Sequence, residues 1–259
     1  MLGGPGSAQT IYPWGTCPSP STCDIPAQGD FDGDGKTDFS IFRPSTGAWA
    51  IFYSSTNTYT VIYFGMTGDK PVMNDFDGDG KTDVTIYRPS TSIWYFIYSS
   101  NGAFASVQYG WNGDVPTPAD YDGDGKADIG VWRNSTHTLY STNSSNGQIR
   151  TNSTFAATGD KPVCADYDGD GKDDIAFFRP SNSIWYILQS TNNQTATYYW
   201  GLGTDVLVPN DYDGDGKVDV ACWRDSTGVW YIRQSSNGQT RSIAWGMSGD
   251  IPVPAFYRR

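Results

Sequence analysis

Short apolar runs ending in arginine recur along the chain at a near-constant interval: FSIFRPSTG (39–47), VTIYRPSTS (84–92), IGVWRNSTH (129–137), IAFFRPSNS (175–183) and VACWRDSTG (220–228). A second run follows in most copies, as in AWAIFYSS, IWYFIYSS, IWYILQS and VWYIRQSS, and then a turn such as Ser100-Asn101-Gly102 or Ser236-Asn237-Gly238. A third run ends near Gly-Asp, as in TVIYFGMTGD (60–69), and a short stretch such as KPVMN leads onward. β-Branched and aromatic residues bounded by Gly, Pro, Asn and Ser predict four short strands per unit, and no stretch carries a helical period.

Between the units the same nine residues return: DFDGDGKTD (30–38 and 75–83), DYDGDGKAD (120–128), DYDGDGKDD (166–174) and DYDGDGKVD (211–219), starting 45, 45, 46 and 45 residues apart. Asp at positions one, three, five and nine supplies hard carboxylate oxygens, and the Lys carbonyl at position seven adds a fifth. Calcium takes six to eight such oxygens, whereas zinc and copper favour the His and Cys ligands that these loops lack. The expected ligands are Asp30, Asp32, Asp34, Lys36 and Asp38; Asp75, Asp77, Asp79, Lys81 and Asp83; Asp120, Asp122, Asp124, Lys126 and Asp128; Asp166, Asp168, Asp170, Lys172 and Asp174; and Asp211, Asp213, Asp215, Lys217 and Asp219. The loop is shorter than an EF-hand loop and lacks its Glu at position twelve, so a site between strands is expected.

Four-stranded units of about 45 residues have the size of a β-propeller blade. The repeats resemble the FG-GAP or VCBS type found in integrin α-subunit propellers and many secreted bacterial proteins, over residues 24–257. The resemblance implies an all-β propeller with calcium between the first and second strands of each blade. It implies less about function, since such propellers serve adhesion, lectin activity and as enzyme appendages.

One propeller domain is expected over 1–259, with half-blades at its ends. Residues 9–30 hold a fourth-strand match, TIYPWG, and then a first strand, DIPAQGD; residues 242–257 repeat a fourth strand and a first, with Phe256 where the next calcium Asp would stand. The halves can clasp a five-bladed ring, form a thin sixth blade, or pair head-to-tail with neighbouring molecules into a filament. Closure within one molecule is the preferred expectation.

The 28 acidic residues are all Asp, and five loops use 20 of them. Five divalent ions would bring the formal charge of −11 to about −1, so the acidity reads as a metal-binding property. No basic patch favours nucleic acid, and no apolar run is long enough for a transmembrane helix. Met1-Leu2-Gly3-Gly4 does not open a signal peptide, as expected of a mature chain. Calcium at extracellular concentrations suits the loops, so secretion or a cell-surface location is expected.

Cys17 and Cys23 flank five residues and are expected to form a disulfide; Cys164 and Cys222 form either a second bridge between adjacent blades or two buried thiols. Sequons stand at Asn134, Asn143, Asn152 and Asn193. Three lie in the third repeat, which also has Leu139 where others carry Trp94, Trp185 or Trp230, so a hydrophilic, glycan-carrying outer edge is one reading and chance in a chain rich in Asn, Ser and Thr the other.

Catalysis has little material. Outside the loops Asp24, Asp69, Asp114, Asp160, Asp205 and Asp250 recur at one repeat position, facing the recurring Arg43, Arg88, Arg133, Arg179 and Arg224 as structural pairs, which leaves only Asp173 and Asp225. His137 is the single histidine and has no nucleophile beside it in sequence. The aromatic clusters Tyr109-Gly110-Trp111 and Tyr198-Tyr199-Trp200 offer shallow sugar-binding surfaces, against the alternative that they pack between blades. The expected function is a non-enzymatic extracellular module binding glycan or protein. The alternatives are a filament subunit and an accessory domain of a secreted hydrolase.

Overall fold

The computed structural model describes residues 15–16 and 23–254. Its described residues form five four-stranded antiparallel sheets in a ring, a five-bladed β-propeller with no helix. Blade one holds β1 (Ile25–Pro26), β2 (Phe39–Arg43), β3 (Ala48–Phe52) and β4 (Tyr59–Tyr63). Blade two holds β5 (Lys70–Pro71), β6 (Val84–Arg88), β7 (Ile93–Ile97) and β8 (Phe104–Gln108). Blade three has β9 (Val115–Pro116), β10 (Ile129–Arg133), β11 (Thr138–Thr142) and β12 (Ile149–Asn152), and blade four β13 (Lys161–Pro162), β14 (Ile175–Arg179), β15 (Ile184–Leu188) and β16 (Thr195–Tyr199). Blade five closes the set with β17 (Val206–Leu207), β18 (Val220–Arg224), β19 (Val229–Arg233) and β20 (Thr240–Ala244).

The period-two alternation of the third strands places one face of each between blades. Trp49, Trp94 and Trp185 lie buried there and Trp230 lies buried within the blade-five cluster, and each indole N–H donates to the carbonyl that follows the fourth strand, at Phe64, Tyr109, Trp200 and Trp245. This satisfies the one polar atom of a large apolar group. Four clusters cross a blade boundary: Trp49 and Ile51 meet Val84 and Ile86, Trp94 and Phe96 meet Val131, Trp132 and Leu139 meet Phe177, and Trp185 and Ile187 meet Val220. Where blade three lacks the third-strand Trp, Trp132 and Phe177 meet across the boundary in a tilted pair, 4.5 Å between ring centroids and 54° between planes.

The end opposite the nine-residue loops is held by ion pairs. Arg43 meets Asp24, Arg88 meets Asp69, Arg133 meets Asp114, Arg179 meets Asp160 and Arg224 meets Asp205, with N···O distances of 2.7–3.0 Å. All five are two-point contacts through Nε and Nη2, and in blade four Nη2 also donates to the Phe155 carbonyl. The same aspartates accept a backbone N–H from the turn that leaves the preceding fourth strand, as Trp111 does to Asp114 at 2.8 Å. Four of the guanidinium groups lie over a tyrosine of the third strand, and Arg43 has Ala50 at that position instead.

The half-blades divide between what is described and what is not. DIPAQGD supplies β1 of blade one, and β20 is the fourth strand of blade five, so both complete full blades. Residues 251–254, expected as a sixth first strand, form no ladder. Phe256 and most of TIYPWG lie outside the described residues, as does Cys17 of the expected Cys17–Cys23 bridge. A Cys164–Cys222 bridge is excluded, because both are free thiols in different inter-blade layers. Cys164 packs beside Tyr121 and Trp132, whereas the Cys222 thiol meets Asp205 at 3.4 Å within blade five.

Replacing Trp185 by Ala removes a fully buried ring and its hydrogen bond. It is expected to lower unfolding free energy by about 3–5 kcal/mol, measured by urea denaturation.

Candidate metal centres and the loop belt

Each nine-residue loop joins the first and second strands of its blade, and its Asp-Gly content sets a tight turn held by its own carboxylates. The position-one Asp turns inward and accepts the N–H groups of the two loop glycines. Gly33 and Gly35 donate to Asp30 at 2.6 and 2.9 Å, and the other four loops repeat the pattern. The position-nine Asp is fully buried in all five copies. One of its oxygens accepts the N–H of loop position two, and the other accepts an N–H from the turn joining the third and fourth strands. For Asp38 these donors are Phe31 at 2.8 Å and Ser54 at 2.7 Å.

That turn supplies more than backbone. Its paired hydroxyl residues, Ser54-Ser55, Ser99-Ser100, Ser144-Ser145, Ser190-Thr191 and Ser235-Ser236, grip the position-five and position-three carboxylates in every blade. Sequence reasoning missed them. Their signal was present, since the first hydroxyl of each pair stands 24 residues after the first loop Asp in all five copies.

The structure gathers three carboxylates per loop with ligand oxygens within 4.8 Å of one another: Asp30, Asp32 and Asp38; Asp75, Asp77 and Asp83; Asp120, Asp122 and Asp128; Asp166, Asp168 and Asp170; Asp211, Asp213 and Asp219. In four loops the position-five carboxylate stands outside the group; in the fourth loop Asp170 joins the group and Asp174 does not, although the turn serine holds the position-five carboxylate in all five. An all-oxygen, all-carboxylate set fits a hard divalent cation. One feature beyond proximity supports the fit: a buried oxygen of Asp122 and one of Asp168 have no hydrogen-bond partner. A buried carboxylate oxygen without a donor is costly unless a cation meets it.

Neighbouring loops are joined into a belt. The N–H at position eight of one loop donates to the position-one carbonyl of the preceding loop: Thr82 to Asp30, Ala127 to Asp75, Asp173 to Asp120 and Val218 to Asp166, at 2.6–2.8 Å. The adjacent lysine lays its methylene stem on the preceding loop's position-four glycine. A Cβ at Gly33, Gly78, Gly123 or Gly169 would stand 2.7–3.0 Å from atoms of Lys81, Lys126, Lys172 or Lys217. These glycines also have φ near +80°, so both backbone and neighbour demand a residue without a side chain. The lysines, expected only as carbonyl ligands, thus act through their side chains as well.

The other predicted residues are placed as follows. All eight acids outside the loops are engaged: the Arg-paired five, Asp250 with the Met247 N–H, Asp173 with the Asp120 N–H at 2.7 Å, and Asp225 with Ser248 and Gly249. His137 sits in the left-handed region at a turn where other blades have Gly or Ser, and its Nε2 meets the Thr158 hydroxyl at 2.8 Å. Tyr109, Tyr198 and Trp200 pack into inter-blade clusters, whereas Trp111 and Tyr199 are exposed. Arg133 lies 3.8 Å from the Trp111 ring centroid. Asn134 and Asn193 are exposed and Asn152 is half-buried. Asn143 is only 2% exposed, so the folded chain has no room for a glycan there.

Two stretches, residues 75–131 and 120–177, match the model of the FG-GAP-like repeat. No curated protein matches the sequence significantly. Among solved structures, the chain is similar to a lectin of Agrocybe aegerita that recognises non-reducing terminal N-acetylglucosamine, with a TM-score of 0.56, 14% identity, and coverage of 86% of this chain and 66% of the lectin's. It is similar to a streptogramin B lyase (TM-score 0.57, 13% identity, 88% and 70% coverage). It is also similar to a calcium-binding protein, regucalcin, of Agrobacterium tumefaciens (TM-score 0.52, 13% identity, 84% and 73% coverage). At these identities the likeness is one of fold.

Burial pushes the carboxyl of Asp83 up to about 6 and that of Asp174 up to about 7, although two backbone N–H bonds pull each the other way. Asp38, Asp128 and Asp219 are raised for the same first reason. In metal-free protein the protonated forms contribute stability that is complete below the ordinary value of 3.8 and is lost as pH rises through about 6 and about 7. With chelator present, the carboxyl ¹³C resonance of Asp174 is therefore expected to titrate near neutral pH, and added calcium is expected to move that titration down.

Proposed function

Because the chain carries FG-GAP-like repeats in a five-bladed propeller, we propose that it is a calcium-stabilised, non-catalytic binding module that works outside the cell and takes glycan on its inter-blade surface. The observation that carries the metal assignment is the fivefold gathering of carboxylates, with orphaned buried oxygens on Asp122 and Asp168. In each loop the Asp residues at positions one and three would hold the ion, joined by position nine in four loops and by Asp170 in the fourth. The ion supplies charge neutralisation, and the chain's own bonds already fix the loop's shape. Extracellular calcium levels suit such loops, which supports the location.

The non-catalytic reading is supported by the acids outside the loops, each of which is bound in a structural contact. A binding role for the inter-blade surface draws on the exposed Trp111 and Tyr199 and on the fold shared with a lectin. Assembly through the ends of the array is a second reading, favoured by one observation. Among the described residues the buried cluster of blade five holds blade-five side chains only, whereas the clusters of the other four blades each reach the next blade.

Calcium should raise the melting temperature of chelator-treated protein, since saturation at a hundred times Kd contributes about 2.7 kcal/mol per site. Equal melting curves with and without chelator would overturn the calcium assignment. A glycan array on the calcium-loaded chain tests sugar binding, and electron microscopy tests assembly: long fibres support the second reading, and discrete particles remove it.

A further inference from the structure

The third repeat departs from the others at three positions on one blade face, and at a fourth it carries an arginine that only blade five shares, as Arg241. Where blades one, two, four and five place Trp on the third strand, blade three has Leu139, and where they place Ile51, Phe96, Ile187 and Ile232 it has Ser141. The paired fourth strand changes too. Asn152 lies opposite Leu139, where Ile62, Val107, Tyr198 and Ile243 stand in the other blades, and Arg150 lies opposite Ser141. These exchanges shrink a packed apolar surface and make it polar. The result is a cavity of about 350 Å³ between blades three and four, within the range of small-ligand sites.

The cavity has an apolar floor of Leu139, Ile175 and Leu188, and amide and hydroxyl groups around it from Ser141, Asn152 and Gln189. Two cations reach it, Arg150 from blade three and Lys172 from blade four. Arg150 Nη1 donates to the Tyr121 carbonyl at 3.0 Å, which orients the guanidinium and leaves its other donors. Among the described residues neither cation has an ion pair, in contrast to the Asp-paired arginines at the opposite end of the blades. The one carboxylate in the lining, Asp173, accepts the Asp120 N–H at 2.7 Å.

We infer that this cavity is a binding site for an acidic sugar residue of the uronic acid class. The sugar's carboxylate meets Arg150 and Lys172, its hydroxyls meet the amides and hydroxyls of the wall, and its apolar ring edge lies on the Leu139–Ile175–Leu188 floor. A carboxylate ligand would give the two cations of this cavity a shared partner, in a chain whose formal charge is −11. The inference rests on the glycan-binding reading and assigns it a place and a charge.

The test is calorimetric titration of the calcium-loaded full chain with glucuronate, galacturonate and their short oligomers, against glucose and galactose. Uronates are expected to bind and the neutral hexoses to bind at least roughly tenfold more weakly, as expected when a charge-assisted hydrogen bond is lost. Arg150→Ala is expected to weaken uronate binding by a similar factor. Ser141→Ile, which restores the residue type of the other blades, is expected to fill the cavity and abolish binding, with a melting temperature within roughly 3 °C of the parent's. Unchanged uronate affinity in both variants overturns the site, as does equal binding of neutral hexose. Failure of every uronate to bind overturns it too. If the array then still finds a neutral glycan, the glycan-binding reading stands and only this site falls; if it finds none, both fall.

Discussion

Every blade depends on a carboxylate that does not reach water. The position-nine aspartate accepts one N–H from its own loop and one from the distant turn between the third and fourth strands. Two backbone segments that share no ladder are thereby fixed to one side chain. The hydroxyl pair on that turn then sets the position-three and position-five carboxylates, so the shape of the loop is set largely before any cation arrives. Burial of this negative charge is what makes a cation at the loop favourable, since neither water nor an arginine is there to offset it.

The two ends of the propeller solve the same problem with opposite chemistry. At one end five buried aspartates are neutralised by arginines at 2.7–3.0 Å. At the other, where carboxylates gather in threes, none is paired with an arginine among the described residues; four of the loop lysines direct their stems to the neighbouring loop, and Lys36 pairs only with Asp34 of its own. The first end is complete with protein atoms alone. The second has its loops shaped by backbone and hydroxyl donors but keeps its charge uncompensated, and under the proposed function a divalent ion would supply the balance.

Much of this was legible in the residues. Spacing identified the loops, the strands and the Arg–Asp partners, because each belongs to a pattern repeated at one interval and the fold repeats with it. Trp94 and Trp185 could be read as inter-blade packing for the same reason. What escaped were contacts between one repeat and the next. Nothing local to Lys126 announces that its stem lies on Gly78, and nothing local to Asn143 tells that it is buried, since its sequon reads as surface. The cavity beside Leu139 was visible only as a departure from consensus. Its meaning needed the facing wall of blade four, 36 or more residues further along the chain at Ile175.

The belt of loops has a direction. Each loop offers a carbonyl and a bare glycine to the loop that follows it, and reaches back with an N–H and a lysine stem to the one before. Hook and eye are thus encoded within the same 45 residues, on every copy. A gene that gains or loses one whole repeat therefore creates no mismatched joint between loops, because any copy can follow any other. Selection acting on repeat number could lengthen or shorten such an array in single steps and leave the bonding between successive loops intact, while one blade, freed from being identical to its neighbours, diverges toward a ligand.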